Sequence, residues 1–223
     1  MPQGIFAISA VDKEDIYGYN INRNKREQII GYALNIVERD GIKALTAREL
    51  GKEMGSSARP IFTVFKNMDE LCSEVFLAAR EKYDSFVLSD HKPGPFFRNV
   101  GMRMVAFAIK HPRLYQLLFM SEIDVKSEEF SQLYGRLGKT VDICVDSIMT
   151  EHGINEQQAR KVFDNLFVYT FGIAVFCATG VCNFPAEKIE QMLAFEFKSV
   201  MYQVINPNLD FLAEKKTVDQ HTF

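Results

Sequence analysis

The sequence predicts an all-α protein, and three observations carry that reading. Apolar residues recur three or four apart over long stretches, which is the period of a helix face. Helix starts and stops are marked by capping residues, glycines and prolines. No long stretch alternates apolar and polar residues as a half-buried strand would, and the 223 residues contain no internal repeat.

The elements follow in order. Residues 1–21 have no sustained period and read as an N-terminal extension. A first helix opens at Asn22 or Asn24, since Asn24 and Glu27 have capping-box spacing. Ile29, Ile30, Ala33, Leu34 and Val37 form its apolar stripe, and Gly41 stops it. Thr46 and Glu49 open a second helix, on which Leu50 and Met54 share a face before Gly55 ends it. Ser56 and Ser57 are N-cap candidates for a third, short helix. Pro60 falls in its first turn, where the missing N–H costs little. Ile61, Val64 and Phe65 point inward, and this helix ends near Lys66.

Asn67 with Glu70 opens a long helix to about residue 89. Leu71, Val75, Ala78, Ala79, Lys82 and Phe86 sit three or four apart along it. His91-Lys92-Pro93-Gly94-Pro95 breaks it. The spacing then predicts five helices, at 96–110, from Pro112 to about 119, at 127–151, from Asn155 to about 179, and at 186–205. Their boundaries are His111-Pro112, Gly153, the Asn155/Gln158 cap and Pro185. Asn206-Pro207 ends the folded part, and residues 207–223 form a tail. The expected domains are a head at 22–67 and a helical body at 68–206.

Two short helices joined by a glycine-containing turn are the pattern of a helix-turn-helix. In that arrangement the second helix enters the major groove with its N-terminal residues, here Ser57, Ala58, Arg59 and Pro60. Arg59 alone among them can contact guanine through two donors. Charge agrees with this. Residues 20–66 hold nine basic and five acidic side chains, a net +4, in a chain whose net charge is −3. A basic head on an acidic body is the asymmetry expected if only the head meets nucleic acid.

The run Thr46, Leu50, Gly55, Ile61-Phe62, Phe65 and Leu71 resembles the DNA-binding domain of the tetracycline-repressor (TetR) family of transcriptional regulators. The resemblance covers about 50 residues, 22–71. It implies a ligand-responsive regulator, a repressor, that binds palindromic operator DNA as a homodimer. It also implies a head interface of Thr46, Arg48, Ser57, Ala58, Arg59, Pro60, Phe62, Thr63 and Lys66. Two positions depart from the family pattern. Phe62 stands where Tyr is usual and Met68 where Lys is usual, and both usual residues touch phosphate. Lys66 is the nearest substitute. The rival reading is an all-α small-molecule binding or enzymatic protein with a vestigial head.

In the body, the helix from Asn155 is apolar around nearly its whole circumference, so burial on every side is expected. In the resembled family the last two helices of two protomers form the dimer interface. The chain holds 19 Phe and 9 Met with no Trp. Phe97, Met104, Phe107, Tyr115, Leu118, Phe119, Tyr134, Leu137 and Phe167 are candidates to line a site for a small apolar ligand. No cofactor, metal site or catalytic group is expected. The four cysteines lack paired spacing, and the four histidines sit near helix breaks or in the tail. No apolar run approaches 18 residues and no signal peptide is evident, so a cytoplasmic protein without a membrane span is expected.

Overall fold

The computed structural model describes residues 13–89, 95–121, 137 and 139–207, with side chains from residue 23 onward. Among the described residues it is helical throughout: α1 Lys13–Asp40, α2 Ala47–Glu53, α3 Met68–Leu88, α4 Phe96–Lys110, α5 Pro112–Phe119, α6 Lys139–His152, α7 Glu156–Thr179 and α8 Ala186–Ile205. Short 3₁₀ turns stand at Ile42–Ala44 and Ile61–Thr63. The chain divides into two compact units, the first ending at Arg80 and the second beginning at Glu81. The division falls inside α3 rather than at residue 67, because the first half of α3 packs with the head.

The body helices match the expected boundaries closely. Asn155 Oδ1 accepts from Gln158 N at 2.9 Å, and Gln158 Oε1 accepts from Asn155 N at 3.1 Å. Gly153 and Gly180 end α6 and α7 at φ values of 63° and 72°, which favour glycine over any residue bearing a Cβ. Gln116 Nε2 donates to Ala178 O at 2.7 Å, satisfying a carbonyl at the end of α7. Tyr83, Phe107 and Phe119 meet edge to face, with ring centroids 5.0–5.1 Å apart about Tyr83.

Four expectations need correction. α1 begins at Lys13, nine or more residues before the expected start, so Asn24 is an interior residue and caps nothing. The few tenths of a kcal/mol by which asparagine disfavours a helix interior are small, and the Arg23–Glu27 pair at 2.9 Å supports that turn. The third helix of the head is a 3₁₀ turn of three residues. Thr63 Oγ1 donates to Pro60 O at 2.7 Å, competing for the carbonyl an α-helix would pair with Val64 N, and Val64 N donates to Ile61 O at 3.1 Å instead.

The third correction concerns α3, whose buried stripe is Leu71, Val75, Ala79, Tyr83 and Val87, with Lys82 and Phe86 only half-buried. The fourth concerns α7, which is not enclosed on all sides. Val168 and Phe176 are 49% and 48% exposed, one turn either side of Gly172. By length and composition α7 could also cross a membrane, but half of that window is buried inside the body. The expected start of α6, at residue 127, lies outside the described residues.

Candidate nucleic-acid interface and ligand cavity

α2 is positioned by its cap and by one glycine. Thr46 Oγ1 accepts from Glu49 N at 3.2 Å, leaving its hydroxyl hydrogen for another acceptor. Gly51 is buried in mid-helix against the turn that follows. A Cβ there would stand 3.0 Å from Ala58 N, 3.1 Å from Ser57 C and 3.2 Å from Ser56 O. The backbone of α2 and that of the turn therefore approach as closely as only glycine allows. Ile61 and Phe65 bury themselves beneath the turn.

This packing turns the polar residues outward. Thr46, Arg48, Ser57, Arg59, Phe62, Thr63 and Lys66 are exposed, while Ala58 and Pro60 are half-buried. Phe62 is 49% exposed, so its ring is open to a partner surface.

The ion pairs sort the basic residues of the head. Arg26 bridges Glu70 and Glu74, each at 2.8 Å, donates to Val64 O at 3.2 Å and lies 4.4 Å over the Phe65 ring. Arg39 pairs with Asp40 and Glu53, Lys52 with Glu49, and Arg23 with Glu27. Lys25, Lys43, Arg48, Arg59 and Lys66 form no ion pair among the described residues. Three of these five are interface candidates. Lys25 and Lys43 were not singled out from sequence.

The body holds two adjoining chambers. The larger, about 140 Å³, lies among α4, the end of α6, α7 and α8. Phe97, Leu166, Leu193 and Phe197 form its apolar wall, with Arg98, Glu151, His152 and Lys198 also lining it. The smaller, about 30 Å³, is lined by Tyr83, Met104, Leu137, Thr140, Phe163 and Phe167 among others. Phe97, Gly101, Leu166 and Thr170 line both.

Of the candidate ligand residues, Phe97, Met104, Leu137 and Phe167 therefore line cavity. Phe107, Tyr115, Leu118 and Phe119 line neither chamber and fill the core. Their rings and branches meet α3, α5 and α7, as in the Tyr115–Phe119 contact at 4.8 Å. Burial raises the Tyr115 hydroxyl well above its ordinary range. Tyr134 lies outside the described residues. Thr140, Leu166, Thr170 and Leu193 escaped sequence reading because apolar and Thr residues on a helix look alike whether they face core or cavity. Gly101 carried a signal, since a glycine inside a helix costs about 1 kcal/mol relative to alanine.

Among the described residues no three His, Cys, Asp or Glu side chains gather as a metal set. Cys72, Cys144, Cys177 and Cys182 are all free thiols.

No protein-family model matches this sequence, and no curated protein matches it. Solved structures do. A Mesorhizobium loti protein assigned to the TetR family of transcriptional regulators is 16% identical, with a TM-score of 0.58 over 81% of this chain and 96% of its own. A transcriptional regulator from Pseudomonas aeruginosa PAO1 is 14% identical, with a TM-score of 0.63 over 82% and 94%. NalD of P. aeruginosa, the secondary repressor of the MexAB-OprM multidrug efflux pump, is 14% identical, with a TM-score of 0.50 over 79% and 96%. At these identities the likeness is one of fold, and it spans head and body alike. The chain has the fold of the TetR-family transcriptional regulators.

Proposed function

We propose that this protein is a ligand-responsive transcriptional repressor that acts in the cytoplasm, binding palindromic operator DNA as a homodimer. It is read as a binding protein, not an enzyme. The observation that carries the reading is the exposed set Thr46, Arg48, Ser57, Arg59, Thr63 and Lys66 on a helix-turn-helix, whose three cations form no ion pair among the described residues. Arg59 is the base-reading side chain. Arg48 and Lys66 hold phosphates, as does the Thr46 hydroxyl. Phe62 is covered by the DNA backbone.

The homodimer forms through α7 and α8. Their open faces present Val168, Phe176, Phe195 and Tyr202, the last two 72% and 54% exposed. A row of exposed apolar side chains on adjacent helices marks an interaction surface. The two chambers of the body receive a small apolar effector. It shifts the protein between states only by its differential affinity for them.

Selection of genomic fragments by the purified protein tests the reading, followed by titration of the best fragment at several salt concentrations. The expected result is a palindromic site and a steep salt slope, near 0.9 per phosphate contact. A folded, dimeric preparation that enriches nothing over random DNA would remove the operator-binding reading.

A further inference from the structure

Building on the effector reading above, we propose that the two chambers take a neutral molecule of single-ring size bearing one hydroxyl, phenol being the simplest, with Thr140 as its hydrogen-bond partner.

Size comes first. A cavity of about 150 Å³ walled by aliphatic and aromatic side chains accepts benzene, and the larger chamber measures about 140 Å³. Phe97, Leu166, Leu193 and Phe197 give it such walls.

The charged groups argue for a neutral occupant. Arg98 is paired with Glu190, Glu151 accepts from Phe96 N and from Ser147 Oγ, and Lys198 is exposed to solvent. His152 lies against the Phe197 ring at 5.1 Å. Among the described residues no charged side chain lines the smaller chamber. An ionised ligand group at that end would lose its hydration with no counter-charge.

Thr140 supplies the polar contact. It is 3% exposed, lines the smaller chamber, and its Oγ1 has no hydrogen-bond partner among the described residues. A buried hydroxyl left unpaired is costly, and a ligand hydroxyl relieves that cost. Because Phe97, Gly101, Leu166 and Thr170 border both chambers, a ring in the larger one can direct its hydroxyl into the smaller.

The test is calorimetric titration of the full chain, without DNA, by phenol, toluene and benzoate. Phenol is expected to bind about five-fold more tightly than toluene, the worth of one net hydrogen bond, and benzoate most weakly. Thr140→Val should lower phenol to the toluene level and leave toluene unchanged. Gly101→Leu should abolish binding of both by filling the border between the chambers. A Cβ at Gly101 stands at an ordinary 3.6 Å from Leu193 Cδ1, so Gly101→Ala should fold and bind more weakly.

Equal affinity for phenol and toluene would overturn the proposal, as would a phenol preference that survives Thr140→Val, a preference for benzoate, or no binding. Phenol binding that responds to Thr140→Val but leaves operator affinity unchanged would uphold it and remove the effector reading. Operator binding in a protein that ignores phenol would overturn the proposal and leave the operator-binding reading standing.

Discussion

The Arg26 guanidinium and the Glu70 carboxylate meet at 2.8 Å across 44 residues of sequence, and this pair ties α1 to the start of α3. Glu70 also accepts from Lys66 N at 2.6 Å, and its own N–H donates to Asn67 Oδ1 at 2.9 Å. One carboxylate thus fixes the exit of the 3₁₀ turn that carries Phe62, Thr63 and Lys66. The Lys66 N–H, and after it Arg26, hold the Glu70 carboxyl below its ordinary value. Its stabilising contribution is therefore fully present above the unfolded carboxylate range. It is lost as pH falls through the depressed folded value. Glu70→Gln should lower the thermal midpoint near neutral pH, with the difference from wild type shrinking as the solution is acidified below about pH 4. Thermal unfolding across that range reads it, and a pH-independent difference would assign the effect to packing instead.

Gly51 and Gly31 are both helical glycines, and the structure separates them. At Gly31 a Cβ meets nothing within 4 Å, so Gly31→Ala should stabilise by up to about 1 kcal/mol. At Gly51 the same methyl meets turn backbone at 3.0 Å. Overpacking there should outweigh the gain in helix propensity and cost about 1–3 kcal/mol. Urea midpoints of the two variants should move in opposite directions.

Arg59→Ala should weaken operator binding by about 1–3 kcal/mol and relax selectivity at one base step. Lys66→Ala should instead weaken all sequences alike and reduce the salt slope by about 1. Titration of matched and single-substituted sites at several salt concentrations distinguishes the two. An unaltered Arg59→Ala profile would displace the base-reading role from that residue.

Phe195→Glu places a charge in the middle of the exposed face of α8. It should convert a dimer to monomer without loss of helix content, because Phe195 is 72% exposed within one chain. Sedimentation equilibrium and circular dichroism check the two halves of this expectation. A dimer that persists would move the interface elsewhere.

Burial pushes the Cys144 thiol up to about 12 and also raises Cys177 and Cys72. Accessibility separates the four, since Cys144 and Cys177 are buried whereas Cys72 and Cys182 are half-buried. A thiol reagent at mildly alkaline pH should therefore modify Cys72 and Cys182 in the native protein, reaching Cys144 and Cys177 only on unfolding. Mass mapping of a timed reaction identifies them.

Local chemistry made most helix boundaries legible in the sequence. Thr46, Asn67, Asn155, Gly153 and Pro185 each act within a few residues of themselves, so their spacing alone determined where helices start and stop. The helical class followed from the three-to-four spacing, and the exposed cations of the head followed from composition. The tertiary structure decided what depends on distant partners. Asn24 has the spacing of a cap, yet α1 continues through it. The Thr63 hydroxyl, competing for the Pro60 carbonyl, reduced an expected helix to a 3₁₀ turn. Arg26 and Arg48 look alike in sequence, but only packing sets Arg26 between Glu70 and Glu74 and leaves Arg48 facing solvent. Phe107 and Phe97 both recur at helical spacing, and only the way α4, α7 and α8 pack makes one core and the other cavity wall. Hydrogen bonds near in sequence are written in the order of residues, whereas burial and ion pairing are set by which surfaces the folded chain brings together.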